Sequence, residues 1–485
     1  MDAGPSSSRG AVPRGGPAVS EGPRSPPPTP LIQTAMQTAS PSSAAPSRRR
    51  FIKAASAAVA APYFVPPSVF GATAPSNRIT IGCIGVGNKG FPIMESFLND
   101  PRAQVVAVCD VNRGSHGYRD EKQFLGREPA RERVESFYAS KTGRGGQRCD
   151  AYNDFREVLA RGDIQAVTVC TPDHWHAPIT VAAADGGKDI YCEKPLSLTI
   201  NDGKRMVDAV RRNQRVLQTG SHERSSPVSR QACELVRNGY IGRVKRVLTQ
   251  VGEHNKVGPG PGWQPMSVPD GFDYDMWLGP APMAPYHKDR CLYRFRFNYD
   301  YSGGQVTNFG AHSLDMAQWG LGRDGSGPVE VEYVDAEFLP EGSLFNAATH
   351  TTFRCRYEDG VELTCKTGDP AVYVEFEGEE GRVATGYGLD GVQTEPASLA
   401  AVEIPAEDQL YVSDDHVGDF LDCVRSRRDP AAPVEVGHRS ATVCHLGNIA
   451  IRLKANLRWD PAAESFLGNE EANAMLDRPA RGDWG

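Results

Sequence analysis

Glu193-Lys194-Pro195 closes the apolar run Asp189-Ile190-Tyr191-Cys192. A lysine where a buried strand of a nucleotide-binding sheet ends faces the crevice in which such sheets hold ligands. There an amine can polarise a substrate oxygen or move a proton. Upstream lies Gly85-Val86-Gly87-Asn88-Lys89-Gly90, a G-x-G-x-x-G run between an apolar strand pattern and a helical one. The first glycine permits the tight turn, the second lets backbone approach a pyrophosphate, and the third lets helix and strand pack closely. The helix amino terminus adds free N–H donors for phosphate. Asp110, about 20 residues past Gly90, ends the next apolar run, where the fingerprint wants an acid for the ribose hydroxyls. An acid there repels a 2′-phosphate, so NAD is favoured and NADP, with Arg113 nearby, is the minority alternative.

Thr171-Pro172-Asp173-His174-Trp175-His176 follows a third apolar run and belongs to the same strand-end rim. Thr171, Pro172, His174, His176 and Glu193 therefore join Gly85, Gly87, Asn88, Lys89, Gly90 and Asp110 as candidate cofactor contacts. For the two histidines, capping and packing at a helix start is an equal alternative. Separated by one residue, they make a poor ligand pair, and no metal is expected.

The elements that must position these residues alternate. Strand patterns at 79–84, 105–109, 166–170, 190–192 and 216–220 are interleaved with helical spacing at 91–98, 155–160 and 177–184. Near-continuous apolar strands alternating with helices predict a parallel sheet covered on both faces. After about Gly242 the texture changes to strands at 244–251, 329–338, 349–357, 361–366 and 371–377, with Glu358-Asp359-Gly360 as a hairpin turn. Helical spacing returns from His416 to Lys454. The fold class is thus α/β: a Rossmann dinucleotide-binding domain at 78–222, then an α/β domain at 223–485 with a large, mostly antiparallel open sheet and helices packing back.

Composition is that of a soluble globular chain of 485 residues, 39% hydrophobic and 23% charged, and its net charge of −7 excludes nucleic acid or an anionic membrane as an expected partner. The eleven cysteines form no C-x-x-C pair and read as buried thiols. Residues 1–77 differ. A lead rich in Pro, Ser, Ala and Gly, expected to be disordered, precedes Arg48-Arg49-Arg50-Phe51-Ile52-Lys53 and an alanine-rich apolar stretch. That is the layout of a twin-arginine export signal, with Ala72-Thr73-Ala74 as a cleavage site. It predicts a folded protein exported to the periplasm with no membrane contact after processing. The length of the lead points to Met36 as the true start.

Glu193-Lys194-Pro195, the glycine fingerprint and Asp173-His174-Trp175-His176 together resemble the Gfo/Idh/MocA oxidoreductase family. The resemblance continues in Gln218-Thr219-Gly220-Ser221, Trp277-Leu278-Gly279-Pro280-Ala281-Pro282, Tyr301-Ser302-Gly303-Gly304, Gly310-Ala311-His312-Ser313-Leu314-Asp315 and Trp459-Asp460-Pro461. It spans residues 78–485 and points to a subgroup that often carries twin-arginine signals. It implies a sugar, polyol or sugar-derivative substrate, with hydride passed to or from the nicotinamide. It implies Lys194 as the catalytic lysine and His312 as the catalytic histidine. Where the family often has an aspartate four residues before that histidine, this chain has Asn308, so a Lys-Asp-His relay is not available. Asp315, one helical turn from His312, is a candidate to orient its ring. Tyr301 and Arg296, and less so Arg294 and Tyr286, are candidate sugar contacts.

Three functions follow as expectations. The first is an NAD-dependent oxidoreductase acting on a secondary hydroxyl or ketone of a carbohydrate. The second is a lyase, hydrolase or epimerase that uses tightly bound NAD as a transient oxidant. The third is a non-catalytic sugar-binding homologue, which only Asn308 favours. A homo-oligomer through the second sheet is expected.

Overall fold

The computed structural model describes residues 77–142, 148–253 and 258–484. The twin-arginine segment, its cleavage site and the Met36 start lie outside the described residues.

β1 (Ile79–Ile84), α1 (Gly90–Asn99), β2 (Ala103–Cys109), α2 (Arg127–Thr142), β3 (Asp150–Tyr152), α3 (Phe155–Leu159), β4 (Ala166–Val169), α4 (His176–Asp185), β5 (Asp189–Cys192), α5 (Ile200–Arg212) and β6 (Leu217–Thr219) form the first layer set. All strand pairs are parallel, in the order β3-β2-β1-β4-β5-β6. This is the doubly wound order, and its direction reverses between β1 and β4, which is where such folds bind ligands. β4 and β5 are buried at every residue, as strands covered on both faces must be. Thr199 caps α5 by accepting from the Asp202 N–H, and Ile200, Gly203, Met206 and Ala209 put a buried stripe along that helix.

Then come α6 (Pro227–Arg237), β7 (Val244–Val251), α7 (Tyr274–Leu278), α8 (Gln305–Asn308), α9 (Gly310–Leu321), β8 (Glu330–Glu337), β9 (His350–Arg356), β10 (Glu362–Thr367), β11 (Val372–Gly378), β12 (Arg382–Gly386), β13 (Gln393–Glu395), α10 (His416–Ser426), α11 (Val434–Leu453), β14 (Leu457–Asp460), β15 (Ser465–Phe466) and α12 (Glu470–Ala474). The second sheet has nine strands in the order β13-β12-β11-β7-β10-β9-β8-β14-β15. Glu358-Asp359-Gly360 turns β9 into β10, as expected, and the pair is antiparallel. One pairing departs from the rest: β7 and β10 are parallel, which the long connection between them, carrying α8 and α9, permits and a hairpin would not. β9 and β11 alternate buried and exposed residues, so one face carries the core and the other stays polar. On the polar face Arg354 pairs with Glu332, and Arg356 with Glu330 and Glu362.

Helices α6, α9 and α11 cover the core face. α9 ends where Gly322 takes φ +69°, a left-handed stop that glycine adopts without strain. α11 also packs on α5 and is therefore buried nearly all round. Phe97 of α1 meets Tyr191 of β5 and Phe420 of α10 edge-on at 5.9 and 6.0 Å, each pair worth about 0.5–1.5 kcal/mol beyond area burial. These rings seat β5, whose exit carries Lys194. All eleven cysteines are free thiols, ten of them buried.

Candidate active site

The glycine turn is built by close approach. Gly85 has φ +80°, and a Cβ there would lie 2.7 Å from the Cys170 carbonyl. A Cβ on Gly90 would sit 1.8 Å from the Gly85 oxygen. The first glycine thus serves the turn and the third serves packing, while Gly87, Asn88 and Lys89 line a cleft of about 320 Å³. Asp110 braces the turn. Its Oδ2 accepts from the Val86 N–H at 2.9 Å and its Oδ1 from the Asn112 N–H at 2.8 Å. Burial pushes this carboxyl up, opposed by those two N–H donors and by Arg127. A cradle closed to any side chain at Gly85, with an acid at the end of β2, fits a dinucleotide's pyrophosphate and ribose.

The same cleft is lined by Thr171, Pro172, Glu193, Lys194, Asn308 and His312. Lys194 Nζ donates to Asn308 twice, to the backbone oxygen at 2.6 Å and to Oδ1 at 3.1 Å. Asn308 does not rotate freely. Its Nδ2 donates to Gln305 Oε1 at 2.9 Å, and Gln305 Nε2 donates to the Glu253 carbonyl at 2.7 Å. That chain fixes the amide with its oxygen toward the lysine. Burial lowers the Lys194 pKa to about 8, with Arg296 and Lys89 pushing the same way and Glu193 and Asp173 opposing. Glu193 is buried and lies 3.8 Å from Lys89 Nζ, so it joins the β5 exit to the glycine turn. Gly220 makes room for it, since a Cβ there would meet the carboxyl at 2.8 Å.

His312 stands in the first turn of α9, 4% exposed. Among the described residues its ring nitrogens have no hydrogen-bond partner; Nδ1 in particular is buried and orphaned. Burial, then the neighbouring Lys194, His222 and Lys89, hold its pKa well below the usual value, so the ring is neutral. A neutral imidazole beside a lysine that titrates near 8 can accept a proton or a hydrogen bond from a hydroxyl.

Several expected contacts lie elsewhere. Asp315 does not orient His312: it is wholly buried, bound by Arg224 at 2.9 and 3.0 Å and by Ser440 Oγ at 2.6 Å. One helical turn separates the two residues, but their side chains serve different interfaces. Tyr301 is not a sugar contact, because its ring is 0% exposed and packed edge-on against Trp277 at 4.8 Å. Tyr286 is buried in the same cluster, and Arg294 pairs with Asp289 at 3.1 Å. Arg296 does line the cleft, stacked on Tyr293 at 4.1 Å.

His174 and His176 are structural rather than cofactor contacts. His174 Nε2 reaches the Trp277 carbonyl at 2.9 Å. His176 places Nδ1 on the Pro195 carbonyl at 2.8 Å and Nε2 on the Thr171 carbonyl at 2.9 Å. Two carbonyl acceptors require both nitrogens to carry protons. Although burial opposes the charge, Cys192, Asp173 and the Pro195 carbonyl raise the pKa to about 10. This imidazolium clamps the exit loops of β4 and β5 together and so positions Lys194.

Three residues went unmarked in the sequence. His222, Glu223 and Tyr387 gather beside His312, with the His222 ring edge-on to His312 at 4.7 Å and Tyr387 Oη 3.4 Å from His222 Nε2. His222 directly follows the Gln218–Ser221 motif, which was a usable signal. Tyr387 follows β12, and only the closure of the second sheet brings it there.

Known proteins bear on this geometry. A model of the oxidoreductase family's NAD-binding Rossmann fold matches residues 79–221, and one of its C-terminal alpha/beta domain matches residues 250–485. The chain belongs to the Gfo/Idh/MocA oxidoreductase family, and its cofactor is NAD. The WlbA dehydrogenase from Bordetella pertussis, solved with NADH and UDP-GlcNAcA, is similar at 18% identity over 79% of this chain and 99% of that one, with a TM-score of 0.54. The aldose-aldose oxidoreductase from Caulobacter crescentus gives 20% identity, the same coverage and a TM-score of 0.55. At such identities the likeness speaks for the fold. An alpha-N-acetylgalactosaminidase from Shewanella oneidensis is 28% identical over 180 residues, 36% of each chain. The match thus spans little more than a third of that relative's length.

Proposed function

We propose that this protein transfers hydride between NAD and a secondary hydroxyl or ketone of a sugar, polyol or glycoside. The observation that carries the reading is Lys194, held by two hydrogen bonds to Asn308 in the cleft that the glycine turn lines. When bound, the nicotinamide supplies the hydride acceptor or donor. Neutral Lys194 takes the hydroxyl proton, and the ammonium then stabilises the oxygen. His312 accepts a hydrogen bond from the same or the adjacent hydroxyl. Arg296 is the remaining candidate sugar contact.

A second reading is favoured by the group at His222, Glu223 and Tyr387 and by the name of the Shewanella relative. A dehydrogenase needs one base for the hydroxyl proton. A redox-neutral glycoside cleavage also needs groups to remove a proton from the neighbouring carbon and to protonate the leaving oxygen. The His222 side supplies candidates for both. Export through the twin-arginine route would suit it, since a cofactor retained from the cytoplasm must be recycled. Self-association through the outer face of the second sheet is part of the proposal, and the ion pairs there imply a polar interface.

The test is to denature purified full-length protein, identify released nucleotide by mass spectrometry, and then assay sugars and glycosides for reduced nicotinamide and for cleaved product. Net NADH formation supports hydride transfer as the overall reaction, and cleavage without net NADH supports the redox-neutral cycle. A protein that neither releases nor binds NAD overturns both.

A further inference from the structure

His222, Glu223 and His312 each offer a ligand atom, and these atoms lie within 4.8 Å of one another. They come from two elements, the short turn His222–Ser225 after β6 and the first turn of α9. His222 Nε2 is 3.3 Å from Glu223 Oε1. Ser229 Oγ donates to the other carboxylate oxygen, Oε2, at 3.0 Å, which orients the group and leaves Oε1 turned to the imidazole. His312 contributes a buried ring with an orphaned nitrogen.

We propose that these three side chains are the seat of a divalent transition-metal ion. Two imidazole nitrogens and one carboxylate suit Zn²⁺, Co²⁺ or Fe²⁺ rather than Mg²⁺ or Ca²⁺, which prefer all-oxygen shells. Three protein ligands leave a coordination position open, and His222 and His312 both line the cleft. Ser229 is the outer-shell partner that holds the carboxylate. Tyr387 Oη, 3.4 Å from His222 Nε2, stands close enough to act as a fourth donor or to bond a bound water. Lys194 and Lys89 oppose a cation here, and the carboxylates of Glu223 and Glu193 offset them. The ion's open position takes a sugar hydroxyl or carbonyl oxygen and polarises it. With the ion seated, the His312 lone pair is spent on it and Lys194 alone carries the hydroxyl proton. That last use rests on the function proposed above; the seat does not.

The test uses metal-stripped full-length protein titrated with Co²⁺, read by its visible d–d bands, with Zn²⁺ as competitor. One saturable equivalent is expected, displaced by Zn²⁺, with affinity lowered at least about 10-fold in His222→Ala and in Glu223→Gln. Both variants should keep their circular dichroism spectrum and NAD binding. Absence of saturable binding, or equal affinity in both variants and the parent, overturns the seat. Sugar turnover does not enter this readout. Stoichiometric Co²⁺ in a protein inert to every carbohydrate keeps the seat and sinks the proposed function, and turnover in protein that binds no Co²⁺ does the reverse.

Discussion

Asn308→Asp puts a carboxylate where an amide oxygen now lies 3.1 Å from Lys194 Nζ. Shape and volume barely change; the charge does, and the Nδ2 donor to Gln305 Oε1 is lost, so the Gln305 amide must turn to donate instead. An opposite charge at such range raises a lysine's pKa by about one to three. The parent value is about 8, so the variant should titrate between about 9 and 11. At about pH 7.5, an amine with pKa about 8 is roughly one quarter neutral, and one with pKa about 10 roughly 0.3% neutral. If the neutral amine is the working base, activity there falls about 8-fold for a rise of one and about 80-fold for a rise of two. It should return as pH passes the new value. The pKa can be read without any substrate, by acetylating the protein across a pH series and quantifying Lys194 modification by peptide mass spectrometry. The hydride-transfer rate against pH should then show its acidic limb at the same place. A Lys194 midpoint that stays near 8 in Asn308→Asp would refute the electrostatic account of this pair. A limb that stays while the midpoint moves would show that Lys194 is not the base.

Lys194→Ala should bind NAD as the parent does and lose about 100-fold or more in turnover, measured by steady-state kinetics and nucleotide titration. Asp315→Asn should lower stability by about 3 kcal/mol in denaturant melts, because Arg224 is left buried with only Asp324. In that variant the pH profile of turnover should not move, since Asp315 has no contact with His312. Gly90→Ala should abolish NAD binding and lower the melting temperature, because its Cβ would lie 1.8 Å from the Gly85 oxygen in backbone that cannot swing aside.

Most of the nucleotide half was legible because its signals are local. A run such as Ile79–Ile84 reads as a strand from its own composition, and the glycine spacing declares a turn, left-handed at Gly85 and closed to a side chain by backbone at Gly85 and Gly90. The hairpin at Glu358–Gly360 is of the same kind. Helices α5 and α6 were not marked, though the Thr199 and Ser226 caps and Pro227 were there to be used. Tyr301 and Asp315 sit inside motifs whose spacing suggested the site, yet both are buried in packing. Position in a motif says which turn a residue occupies, not which way its side chain leaves the backbone.

By itself the sequence determined the parallel first sheet, the glycine cradle, the acid at Asp110 and the placement of Lys194 at a strand end. Each of these depends on residues within one strand–turn–helix unit, so a short window holds the whole physical cause. Only the tertiary structure decided that Asn308, more than a hundred residues on, turns its amide oxygen to Lys194 through Gln305 and Glu253. It also decided that His176 clamps two loops and that His222, Glu223 and Tyr387 close around His312. Those contacts join β6, α9 and the end of β12. Their geometry is set by how two sheets and α11 pack together, a long-range balance of burial and pairing that no stretch of chain carries alone.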